Sequence, residues 1–71
     1  METGIGSVVR VTVLPDRGQV GVVCDEHAGL IAVVTAGRGM DWYRANELAE
    51  PGDLDENDEA NLAEIREADG R

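Results

Sequence analysis

The sequence changes character at Pro51, and that break constrains the fold more than any motif. Residues 1–50 hold all nine valines and no lysine, with seven acids against four arginines, whereas residues 51–71 hold no valine and eight acids against Arg66 and Arg71. Valine favours the pleated, half-buried environment of a sheet. A valine-free, acid-dense stretch with scattered Leu, Ile and Ala suits a helix or a solvated tail. The chain therefore reads as two parts with different roles. With 71 residues there is room for one domain, and a chain this short buries only about 60% of the surface exposed when unfolded.

Residues 7–14 alternate, with Val9, Val11 and Val13 on one side and Val8, Arg10, Thr12 and Leu14 on the other, the period of a half-buried strand. Pro15, Asp16, Arg17 and Gly18 end it, because proline donates no ladder hydrogen bond and glycine takes positive φ readily. Residues 19–24 resume with Val20, Val22 and Cys24 on one face and Gly21 and Val23 on the other. Residues 25–29 form a polar connection, and residues 30–35 a third strand whose apolar run suits cover on both faces. After a glycine-rich turn, residues 40–44 give a short fourth strand with Trp42 and Tyr43, and Asn46, Glu47 and Leu48 a single 3₁₀ turn. Four or five short strands at this spacing predict a small antiparallel barrel or sandwich, and closure would hide its sheet edges.

Beyond Pro51 and Gly52 the pattern predicts a helix over residues 55–68, with Asp53 or Asp55 as N-cap and Gly70 as its stop. Asp55, Glu56, Asp58 and Glu59 suit the positive end of the helix dipole, although Asp55 and Glu59 repel one another. The apolar stripe is thin, consisting of Leu62, Ile65 and Ala68. Isolated helices this short are marginal in water, so the stripe packs on the barrel, packs on a partner, or leaves the tail substantially disordered.

Gly6-Ser7-Val8-Val9-Arg10-Val11, Gly18-Gln19-Val20-Gly21-Val22-Val23, Leu30-Ile31-Ala32-Val33-Val34 and the stretch from Trp42 to Leu48 resemble the layout of SH3-like barrels, especially the KOW type, over about residues 6–50. In that family a Gly-x-x-Gly-x-Val segment forms the strand leaving the first loop. Gly21 has a physical reason to be there, since a Cβ would obstruct the approach of neighbouring backbone in a small barrel. The resemblance implies a mainly β fold, an SH3-like antiparallel barrel of four to five strands in residues 1–50, with residues 51–71 as an acidic C-terminal helix or partly disordered tail. Relatives of this type bind nucleic acid, ribosomal components, polymerase or other proteins. The nucleic-acid members have basic, often aromatic surfaces, whereas here the only rings besides His27 are Trp42 and Tyr43, and the formal net charge is −9. That charge repels phosphate over a Debye length of about 10 Å. A nucleic-acid face would have to gather Arg10, Arg17, Arg38 and Arg44, with the acidic tail folding across them as an internal competitor.

No set of residues assembles an active site. The single Ser, His and Cys, at Ser7, His27 and Cys24, fall in different strands or turns. Cys24 reads as a small buried strand residue, and a lone cysteine permits no internal disulfide, which fits a reducing compartment. Asp25, Glu26 and His27 are consecutive, whereas a four-coordinate metal site needs groups converging from more than one element. Residues 53–64 resemble an EF-hand calcium loop at its first, third, fifth, ninth and twelfth positions, but Asp58 stands where that loop needs glycine and a helix from residue 55 would exclude its geometry. Neither Gly4-Ile5-Gly6 nor Gly37-Arg38-Gly39 opens a helix as a phosphate loop does. The chain is expected to be no enzyme and to use no cofactor or metal.

The first residues lack a basic start leading into an apolar core, and no run approaches the ~20 apolar residues of a membrane span, so a soluble, cytoplasmic protein is expected. All six basic residues are arginine, which reads as coding in a GC-rich bacterial genome. The functional expectation is a non-catalytic interaction module for a basic protein partner. Trp42 and Tyr43 are adjacent in a strand and point to opposite faces, so one caps the core and the other is the candidate interface anchor. The partner-binding candidates are Trp42, Tyr43, Asp55, Glu56, Asp58, Glu59, Leu62 and Ile65. The alternatives are a nucleic-acid or ribosome-associated domain using the four barrel arginines, and a structural subunit of a phage or bacterial assembly joined through edge strands.

Overall fold

A computed structural model describes residues 4–68. Strands β1 (Val8–Val11), β2 (Val20–His27), β3 (Leu30–Thr35), β4 (Gly39–Arg44) and β5 (Leu48–Ala49) form one antiparallel sheet in the order β4-β3-β2-β1-β5. A 3₁₀ turn at Ala45–Glu47 joins β4 to β5, and helix α1 (Glu56–Ala68) follows. The fold is mainly β, a curled half-barrel with one C-terminal helix, consistent with an SH3-like architecture. Connectivity imposes the curl. In a flat sheet with strands about 4.8 Å apart, β4 and β5 would lie about 19 Å from each other. They are joined by one three-residue turn, which rises only about 2 Å per residue, so the sheet must roll to bring its two ends together. Rolling does not complete the ladder: β4 pairs only with β3 and β5 only with β1, so the edges expected to be hidden by closure remain.

Alternation sorts the side chains into two cores. Val9, Val11, Val23, Ile31, Val33, Tyr43 and Leu48 fill the concave side, with Val13 packed against them. On the convex side Val20 meets Leu62 and Ile65 of α1, bordered by Val8, Val22, Val34 and Ala36. This second layer explains why β3 is apolar on both faces, with Ile31, Ala32 and Val33 all buried. Leu62 and Ile65 of the helical stripe therefore pack on the half-barrel, whereas Ala68 is exposed. Burying Leu62 and Ile65 contributes roughly 1.5–3 kcal/mol each by area transfer, enough to hold a helix that would be marginal alone.

Gly21 is opposed by Val9 on one side and Thr35 on the other. A Cβ there would collide with Val33 Cγ1 and approach the Val34 carbonyl oxygen to 2.7 Å, so glycine is required for strand approach. The polar connection at residues 25–29 is shorter than expected. β2 runs to His27, and Ala28 and Gly29, at φ 52° and 81°, make a two-residue turn into β3. Positive φ at both central positions is the geometry whose twist matches a hairpin. A register shift between Val23 and Asp25 places Cys24 in a bulge, leaving it exposed instead of buried as the alternation suggested. The extra residue interrupts period-two sorting. β1 is only four residues long, because beyond Val11 the chain enters the Pro15–Gly18 loop while Thr12 donates to the Glu47 carbonyl.

Candidate functional site

Three regions gather the residues singled out from the sequence. The first joins α1 to the sheet. Arg10 points from β1 to the convex side, and its guanidinium grips Asp58 in a two-pronged pair, Nη1 to Oδ1 at 3.3 Å and Nη2 to Oδ2 at 2.9 Å. The same group donates to the carbonyls of Pro51 (3.0 and 2.7 Å) and Gly18 (2.8 Å), tying β1, the first loop, the linker and the helix together. Asp55 caps the helix: its Oδ1 accepts the Asp58 amide at 2.8 Å while Asp58 Oδ2 accepts the Asp55 amide at 3.2 Å, a reciprocal cap. Hydrogen bonding from Arg10 holds the Asp58 carboxyl below the usual range, helped by the cap contacts, and the same bond raises the Arg10 pKa. The helix begins at Glu56, so residues 53–64 do not form the loop that a calcium site of that pattern needs.

Leu62, Ile65 and Asp58, all candidates for partner contact, are thus taken up within the chain. The remaining acids face outward. At 100° per residue, Glu56, Glu64 and Glu67 fall on the side of α1 opposite these three buried residues and Glu59 on its flank, and all four are exposed. The helix therefore fixes a negative surface in place on the sheet.

The second region lies at one mouth of the half-barrel. Tyr43, only 5% exposed, points into the concave core, and its hydroxyl donates to Asp16 Oδ2 at 2.9 Å. Arg38 Nε lies 3.6 Å from that same oxygen, and Arg38 Nη2 donates to Asp41 Oδ2 at 3.1 Å. Burial, followed by the bond to Asp16, pushes the Tyr43 phenol up to about 12. Of the two neighbouring rings, Tyr43 is the inward one, so its place is structural and it offers no surface to a partner.

The third region is the outer face of β4. Trp42 is 39% exposed and stands opposite Ala32, with Met40, 52% exposed, opposite Val34 and Arg44 opposite Leu30. α1 lies over β2 and β3, leaving this β4 stripe open. The Met40 and Leu30 contributions were missed in the sequence; the β3–β4 register that places them beside Trp42 depends on the turn at residues 36–38. A shallow groove of about 580 Å³, lined in part by Val22, Cys24, Val34, Ile65 and Arg66, adjoins it. Partial burial and then the Asp25 charge push the Cys24 thiol up, making it a poor nucleophile at neutral pH.

The four barrel arginines do not form one face. Arg10 is covered by the tail, and Arg38 is engaged with Asp16 and Asp41 at the β3–β4 turn. Arg17 and Arg44 are exposed, and among the described residues neither is within salt-bridge distance of an acid. Among the described residues, no three His, Cys, Asp or Glu side chains converge to hold a metal ion, and no helix is long and apolar enough to cross a membrane. No family model, curated protein or solved structure matches the chain.

Proposed function

We propose that this protein is a non-catalytic interaction module whose docked acidic helix and exposed Trp42 bind a basic protein partner. The observation carrying this reading is the exposed set Glu56, Glu59, Glu64 and Glu67 on a helix held to the sheet by Leu62 and Ile65. A fixed array of like charges steers an oppositely charged partner at long range and weakens with salt, while an exposed tryptophan supplies the short-range anchor typical of interface centres. The test is affinity capture from nuclease-treated bacterial lysate, comparing the full chain with E56Q/E59Q/E64Q/E67Q and with Trp42→Ala. A basic protein retained by the full chain, released by salt and lost in both variants supports the reading. Identical capture by all three chains refutes it.

A second reading rests on Arg10. The two-pronged contact that Asp58 makes is also the geometry in which arginine takes a phosphate, so in a KOW-like nucleic-acid domain the helix would act as an internal competitor for Arg10, with Arg17 and Arg44 as further exposed cations. Asp58→Ala should then strengthen binding to a single-stranded oligonucleotide at low salt, an effect the protein-partner reading does not produce.

A further inference from the structure

β4 is an edge strand: it pairs with β3 along one side and has no neighbour on the other. Open edges ordinarily invite a strand from another molecule, and this one carries Met40 and Trp42 on its exposed face. Two of its outward amides are nevertheless occupied. The Trp42 amide donates to Asp41 Oδ1 at 2.8 Å, and the Arg44 amide donates to Glu47 Oε1 at 2.8 Å. These two residues are two apart, so their amides point to the same side of the strand, and their acceptors are side-chain carboxylates of the same chain. The first acceptor is itself held in place, since Arg38 Nη2 grips the other oxygen of Asp41 at 3.1 Å. The second comes from the 3₁₀ turn that carries the chain around to β5.

We propose that β4 is a latent self-pairing strand that Asp41 and Glu47 keep closed, so that removing their carboxylates joins two copies of this chain edge to edge. The occupant follows from the strand itself. Antiparallel pairing about a two-fold axis at Trp42 sets Trp42 against its own copy and Met40 against Arg44, bringing the outward amides of residues 42 and 44 opposite free carbonyls. Such a pairing is self-complementary, and it sets the exposed aromatic rings side by side, a favourable cross-strand pair. In the native chain a second strand must first displace two charge-assisted hydrogen bonds, each stronger than the neutral ladder bond replacing it. This inference does not depend on the role given to the acidic helix, which lies over β2 and β3.

The test is sedimentation equilibrium of the full chain, of D41A/E47A and of D41N/E47Q, with folding checked by circular dichroism. The native chain should stay monomeric, D41A/E47A should dimerise with an apparent Kd at least ten-fold tighter, and D41N/E47Q should remain monomeric because an amide oxygen still accepts from each backbone N–H. Adding Trp42→Pro to D41A/E47A removes an outward amide at an edge position that tolerates proline and should abolish the dimer. Should D41A/E47A fail to fold, the single variants D41A and E47A carry the same comparison. A folded, monomeric D41A/E47A overturns the proposal, as does a native chain already dimeric through β4.

Discussion

Tyr43 is the only tyrosine in the chain, so its ionisation can be followed directly in the near-ultraviolet spectrum. Its phenol is buried and bonded to Asp16, and its pKa in the folded state is pushed up to about 12, against about 10 for a free tyrosine. A group whose folded pKa lies above its unfolded value stabilises the fold fully below the unfolded pKa and loses that contribution as pH rises through the folded one. The window is therefore about pH 10 to 12, and a shift of two pH units corresponds to about 2.7 kcal/mol. A chain of this size has roughly 4–10 kcal/mol in total, so the loss should be plain in denaturant melts followed by the fluorescence of the single tryptophan, Trp42. Tyr43→Phe should cost about 1–3 kcal/mol at neutral pH, because the buried Asp16 carboxylate loses its donor and keeps only Arg38 at 3.6 Å. It should also flatten the alkaline slope. Both chains are best compared in a Cys24→Ser background, since that thiol also titrates above its usual value. A folded-state tyrosinate midpoint near 10, or an unchanged alkaline slope in Tyr43→Phe, would refute burial of the phenol with its bond to Asp16 as the cause.

Leu62→Ala should lower stability by about 2–5 kcal/mol by opening a cavity against Val20, with loss of helical circular dichroism preceding loss of the sheet signal. Gly21→Ala should cost about 1–3 kcal/mol in denaturant melts, since the added carbon meets Val33 and the Val34 carbonyl oxygen. Ala28→Gly should raise stability by about 0.5–1 kcal/mol, because alanine at φ 52° is strained where glycine is not. Asp58 has a folded pKa lowered chiefly by its bond to Arg10, so its contribution holds above about pH 4 and fades as pH falls through the lowered value. Asp58→Asn should remove that part of the acid dependence, seen as a shallower drop in stability below pH 4 than in the native chain.

The strands that alternate cleanly were legible because one period sorts them. β3 declared its burial on both faces through five successive apolar residues, and Gly21 could be assigned to a close approach because nothing else explains a glycine amid valines. The helix was visible in its acids, but its destination was not, since Leu62 and Ile65 say only that something covers them; Gly70, read as its stop, lies outside the described residues. What seats them is Arg10, which from sequence looked like one of four comparable cations; its role depends on where the sheet turns it and on the carbonyls that the Pro51 linker brings within reach. Cys24 was misplaced because a bulge leaves no mark in the alternation that precedes it. Trp42 and Tyr43 were known to face opposite ways, but which way each faced follows from the β3–β4 register and from Asp16 waiting at the barrel mouth.

The pairing of Arg10 with Asp58 spans 48 positions of sequence. Contacts that far apart come late, because loop closure must be met before they repay it. During synthesis the half-barrel emerges before α1, and until residues 56–68 leave the ribosome Val8, Val20, Val22 and Val34 face water without Leu62 and Ile65 over them. A newly made chain is thus more adhesive in the interval before α1 emerges, a hazard common to partly folded proteins. Arrival of the helix ends that interval, and an early stop codon after Pro51 would make it permanent.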